Sequence, residues 1–79
     1  MAWHAFIAIK CNGKLNENHW EQVKQWAEVD KVWSSMGDWD FWMEANDNIK
    51  NTSDLEKLVF KLRKEPWVQS TTTYWWKEV

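Results

Sequence analysis

The sequence predicts an α+β domain: a four-stranded antiparallel sheet with two helices on one face. Two observations carry the prediction. Segments of period-two alternation open and close the chain and form its middle, and two segments of helical period separate them. The resulting order is βαββαβ, the ferredoxin-like layout, and its two βαβ halves put both helices on the same side of the sheet. With 79 residues, the whole chain, 1–79, is read as a single domain.

The first strand is read over residues 2–10, AWHAFIAIK. Trp3, Ala5, Ile7 and Ile9 fall on one face, and His4, Phe6, Ala8 and Lys10 on the other. Both faces are largely apolar, which predicts a central strand. Asn12 and Gly13 then supply turn chemistry. Residues 16–28, NENHWEQVKQWAE, read as a helix. Asn18 with Glu21 resembles a capping box, with Asn16 as an earlier alternative. Its buried stripe is expected to be Trp20, Val23 and Ala27, with Trp26 on the shoulder.

A second strand is expected from Val29 to Met36, closed by Gly37, and a third from Trp39 to Ala45. In the third, Trp39, Phe41 and Met43 share one face, and Asp40, Trp42 and Glu44 the other. The polar run NDNIKNTS reads as a loop. Ser53 and Glu56 form a Ser-x-x-Glu capping box opening a second helix, on which Leu55, Leu58, Val59 and Leu62 share a face. Lys61, Arg63 and Lys64 favour the negative end of its dipole, and Pro66 stops it. Residues 68–77, VQSTTTYWWK, have the β-branched and aromatic composition of a last strand.

Composition narrows the function. Ten basic against twelve acidic residues give a net charge of −2, which provides no footprint for phosphate backbones and argues against direct nucleic-acid binding. The acidic third strand, DWDFWMEA, also lacks the basic, glycine-bearing signature of RNA-binding domains with this element order. No stretch approaches the ~20 apolar residues of a membrane span, and no signal peptide is evident. The single Cys11 precludes an internal disulfide and fits a cytoplasmic setting. No metal or cofactor is expected: Asp38, Asp40 and Glu44 alternate between faces with no histidine beside them.

Two features point to association. A chain of this size buries only roughly 60% of the surface its unfolded form exposes, which leaves a thin margin of stability. It also carries nine tryptophans, more than so small a core hides. Several are therefore expected on a surface that another chain or a ligand covers. With both helices on one face, the other face is open, and Phe6, Ala8, Trp42, Trp75 and Trp76 are the expected interface residues of a homo-oligomer, dimeric or larger.

GDWDFWMEA after a strand and EPWVQSTTTYWW after the second helix resemble the effector-binding domain of the Lrp/AsnC family. The first segment contains a Gly-x-aromatic-Asp turn, Gly37-Asp38-Trp39-Asp40. The second runs from Pro66 through Val68 to Thr71 and Thr73, with Trp67 where the family has glycine. AFIAIK is similar to the family's first strand, so the resemblance covers nearly the whole chain.

The resemblance implies a stand-alone effector domain without the family's helix-turn-helix, binding an amino-acid-like small molecule where subunits meet. Carried over, Gly37, Asp38, Trp39, Asp40, Thr71 and Thr73 are the ligand-binding candidates. Asp40 would meet an ammonium, the threonines would offer hydroxyls, and amides near Gly37 would meet a carboxylate. Any influence on transcription would require co-assembly with helix-turn-helix regulators of the family. For Asp40 the alternative is a turn residue bonding its own backbone, and for the threonines it is plain strand propensity. His4 and His19 are candidate acid–base groups. They complete no nucleophile–base set, so no enzyme is expected. The competing classes are a small dimeric enzyme of the cofactor-independent monooxygenase type and a pure assembly module.

Overall fold

The structure, a computed structural model, describes residues 3–13 and 17–77. Six elements follow one another: β1 (Trp3–Cys11), α1 (Glu17–Lys24), β2 (Val29–Ser34), β3 (Phe41–Ala45), α2 (Thr52–Arg63) and β4 (Val68–Lys77). The strands form one sheet in the order β2-β3-β1-β4, and every neighbouring pair is antiparallel. This is the ferredoxin-like arrangement, with β1 central and β2 and β4 at the edges. Ala2, expected to start the first strand, and Asn16, a possible cap of the first helix, lie outside the described residues.

Alternation along β1 decides where the core sits. Ile7 pairs with Met43 and Ile9 with Phe41, and all four are fully buried with Val23 of α1 and Leu58 and Leu62 of α2. Branched and aromatic side chains on the sheet thus interlock with the apolar stripes of both helices.

Several boundaries differ from those the sequence predicts, each for a local reason. The first helix stops at Lys24. Beyond it the Trp26 N–H donates to the Val23 carbonyl at 3.0 Å and the Val29 N–H to the Trp26 carbonyl at 3.1 Å, tight turns that reverse the chain into β2. Trp26 thereby packs against the core beneath Lys61, whose Nζ is 4.4 Å from the ring centroid. Ala27, expected in the buried stripe, is exposed. Asn18 lies inside the helix and does not begin it.

Asn51, not Ser53, caps α2. Its Oδ1 accepts the Asp54 N–H at 2.9 Å, while Asp54 Oδ2 accepts the Lys50 N–H at 3.1 Å. This reciprocal pair does the work expected of Ser53 and Glu56, two residues earlier. β2 ends at Ser34 and β3 begins at Phe41, so Met36, Trp39 and Asp40 belong to the connecting turn. The next connection is held by asparagines: Asn46 Nδ2 and Asn48 Nδ2 both donate to the Ala27 carbonyl, at 2.6 and 2.8 Å.

After α2 the chain turns through Pro66 and Trp67. The Trp67 ring stacks on His19 at 4.5 Å between centroids and leans on Phe41 at 5.7 Å. A glycine there would leave that side of the core open. His19, a candidate acid–base group in the sequence, is part of this cover.

Cap assignment is testable by urea unfolding. Asn51→Ala is expected to cost about 1 kcal/mol, whereas Ser53→Ala should change stability by no more than a few tenths of that. The reverse ranking would restore the cap to Ser53.

Candidate functional site

Three regions bear on function, and the sheet register places each. The first is the sheet face opposite the helices. Residues on this face pair across strands as Trp33 with Trp42, Phe6 with Tyr74, and His4 with Trp76. The Phe6 ring is 4.4 Å from Trp76 and 5.9 Å from Trp33, and Trp42 is 5.4 Å from Tyr74. Trp42 and Tyr74 stand on the strands flanking β1, so their rings meet across it, above the small side chain of Ala8. Ala8, expected to contact a partner, is consequently buried within its own chain.

Trp33 and Trp76 remain 42% and 53% exposed, and with Phe6 and Trp42 they line a depression of about 320 Å³. At one end of the patch His4 Nδ1 lies 2.8 Å from Glu44 Oε2. Trp75, expected beside Trp76 on the interface, pairs with Ala5 and so belongs to the opposite face.

The second region is the turn joining β2 to β3. Gly37 has φ +113°, a conformation that L side chains rarely adopt. The Ser35 N–H donates to the Asp40 carbonyl at 3.1 Å, and its hydroxyl donates to the Trp39 carbonyl at 2.6 Å. Asp38 projects into solvent, and Trp39 is half-buried. Asp40 extends the sheet by one rung: its N–H donates to the Ile9 carbonyl at 3.0 Å, and its Oδ2 accepts the Cys11 N–H at 2.6 Å. A carboxylate oxygen thus stands where a strand carbonyl would be. Burial, reinforced by the Asp40 charge, pushes the Cys11 thiol from its ordinary 9.0 up to about 11.

The third region is the outer edge. Thr71 and Thr73 pair with Ile9 and Ile7, which turns both toward the helix side of β4. Arg63 Nε donates to Thr71 Oγ1 at 3.1 Å. The Gly37–Asp40 turn and these threonines stand on opposite sides of β1, about 10 Å apart by strand spacing. One chain therefore does not close them around a single ligand.

Arg63, Trp33 and Tyr74 were absent from the sequence-derived site. Parity would have found the two aromatic residues once the register was known. The sequence marks Arg63 only as a basic residue in a last turn. Among the described residues no three His, Cys, Asp or Glu side chains gather as metal ligands, and no helix is long and apolar enough to cross a membrane.

A ferredoxin-like domain with an aromatic open face and a glycine–aspartate turn is the class these features define. No family model and no curated protein matches the chain, but solved structures share its fold. It is similar to FFRP-DM1 (TM-score 0.82, 22% identity), over 96% of this chain and 100% of that one. It is also similar to a transcriptional regulator from Neisseria meningitidis solved in complex with L-Met (0.82, 19%), over 98% of this chain and 51% of the regulator. An AsnC family transcriptional regulator from Agrobacterium tumefaciens (0.79, 15%) is matched over 98% of this chain and 51% of its own. The chain thus spans all of the first and about half of each regulator. The fold implied by the Lrp/AsnC resemblance is the fold found.

The Cys11–Asp40 arrangement sets a pH dependence. The raised thiol value means that the native state holds its proton after the unfolded chain has lost it. Stability is therefore complete below about pH 9 and declines as pH rises from 9.0 toward about 11. Urea unfolding across that range checks it, with Cys11→Ala expected to lose this part of the decline.

Proposed function

We propose that this chain is an effector-binding and assembly domain of the Lrp/AsnC type, acting in the cytoplasm and without enzymatic activity. It takes an amino-acid-like small molecule at a seam between copies. It influences transcription by co-assembling with helix-turn-helix regulators of that family. One observation carries the reading. The Gly37–Asp40 turn and the β4 threonines, the two halves of the expected ligand site, stand apart across β1 in one chain. A second copy that brings its own edge strand to the turn would complete the site.

The chemistry at the seam suits a zwitterion. Asp40 supplies a fixed anion whose orientation is held by the Cys11 N–H. Thr71 and Thr73 supply hydroxyls, and the half-buried Trp39 offers an apolar wall. Phe6, Trp33, Trp42 and Trp76 give the assembly a separate aromatic surface, sheet face against sheet face. The shared fold of two transcriptional regulators, one of them solved with L-Met, favours an effector role over catalysis.

A thermal-shift screen of L-Met and the other amino acids at millimolar concentration tests the proposal. A ligand at 100 times its dissociation constant stabilises the native state by about 2.7 kcal/mol, a readily visible rise in melting temperature. Asp40→Asn separates the two roles of that residue. Asparagine can still accept the Cys11 N–H, so the turn and the assembly should persist, while loss of the anion should weaken binding at least ~10-fold. A shift for none of the amino acids would remove the effector role and leave an assembly module; unchanged affinity in the variant would return Asp40 to the turn.

A further inference from the structure

α2 presents two stripes. Leu55, Leu58 and Leu62 face the sheet and are buried. Thr52, Glu56, Val59 and Arg63 follow at spacings of four, three and four residues and form a second stripe along the helix. Beside them runs β4, the edge strand, whose Thr71 and Thr73 face the same side. Between stripe and strand lies a groove of about 350 Å³, walled by Leu55, Val59 and Phe60 and reaching Thr73. Phe60 is 58% exposed, an apolar ring held in solvent at the groove wall.

We propose that this groove binds a small organic carboxylate with an apolar body, and that Arg63 is the cation that receives it. The groove is complete within one chain, so the proposal goes beyond the effector reading: it shares Thr71 and Thr73 with the proposed seam but needs neither a second copy nor Asp40. Arg63 lines both this groove and the adjoining depression at residues 68–71. Its contact there is a hydroxyl, Thr71 Oγ1 at 3.1 Å, whereas Lys24 and Lys61 each have a glutamate at 3.5 Å. That single Nε bond fixes the plane of the guanidinium and leaves its two Nη groups to grip a carboxylate end-on. Having accepted from Arg63, the Thr71 hydroxyl can donate its own hydrogen to the same anion.

Charge also sets the orientation. Glu56 is seven residues before Arg63, about 10 Å along the helix axis. That is too far to neutralise Arg63, and Glu56 repels an anion from its own end of the groove. The carboxylate is therefore placed at Arg63, with the apolar body along Val59 and Phe60.

The probes are 3-phenylpropanoate and its neutral amide, 3-phenylpropanamide, titrated into the ¹⁵N-labelled full chain. The acid is expected to shift the Arg63 Nε–H and the Thr71 and Thr73 amides, and to bind about 10- to 100-fold more tightly than the amide. Arg63→Gln should abolish that preference, and Arg63→Lys, which keeps the charge without the fork, should retain part of it. The spectrum of each variant reports directly whether the fold survives, and Arg63 is exposed at the end of its helix. Equal shifts by acid and amide, acid binding unaffected by Arg63→Gln, shifts confined to other residues, or no shift at millimolar acid would each overturn the proposal. Because the acid has no ammonium group, these outcomes are independent of whether any amino acid binds at Asp40.

Discussion

A four-stranded sheet has two faces, and in this chain both helices lie on one of them. Everything else in the structure accommodates that constraint. β1 runs through the centre, so its alternate residues serve opposite faces: Ile7 and Ile9 enter the helix-covered core, while Phe6 and Ala8 join the open side. On the open side the chain responds by clustering aromatic rings across strands, which buries Ala8 completely but leaves Trp33 and Trp76 about half exposed. An aromatic side chain buries ~150–250 Å² when fully covered. At ~25 cal/mol per Å², covering this cluster with a second copy contributes several kcal/mol. That is large against the thin margin of a domain this small.

Polar side chains work at the ends of elements, where backbone groups would otherwise lack partners. Asp40 supplies an acceptor to β1 just before β3 begins, Asn46 and Asn48 hold the loop that follows β3, and Asn51 caps α2. The same economy shapes the two candidate ligand surfaces. Asp40 has a fixed carboxylate because the fold requires it there, and Arg63 has a fixed guanidinium because Thr71 stands one bond away on the edge strand. Both are ordered before any ligand arrives, which lowers the entropy lost on binding.

How much of this was legible in the sequence depended on the range of the interaction that decides it. The alternation of AFIAIK, the composition of VQSTTTYWWK and the leucine stripe of α2 identify their elements because period and burial are local signals. The element order and the open face follow from them. The end of α1 was not legible. Ala27 continues the helical stripe on paper, but Trp26 gains more by turning onto the core beneath Lys61. Nor was the α2 cap, since Asn51-Asp54 and Ser53-Glu56 are equally good local patterns, and only the path of the preceding loop chooses between them.

The candidate site was legible as a list of residues rather than as an arrangement. Trp75 and Trp76 must point to opposite faces on any strand, so their parity excludes a shared interface; the register fixes which face each occupies. The roles of Ala8, His19 and Arg63 depend on Trp42 with Tyr74, on Trp67, and on Thr71, contacts made across strands or between helix and sheet that no local pattern encodes.

Sedimentation equilibrium of the intact chain over a micromolar concentration series tests most directly whether the open aromatic face is an assembly surface. The account predicts a dimer or larger species that dissociates when Trp42 is replaced by a charged residue, with the isolated chain still folded. A wild-type chain that sediments as a monomer throughout the series would contradict it, and would leave the tryptophans of the open face without a partner to explain them.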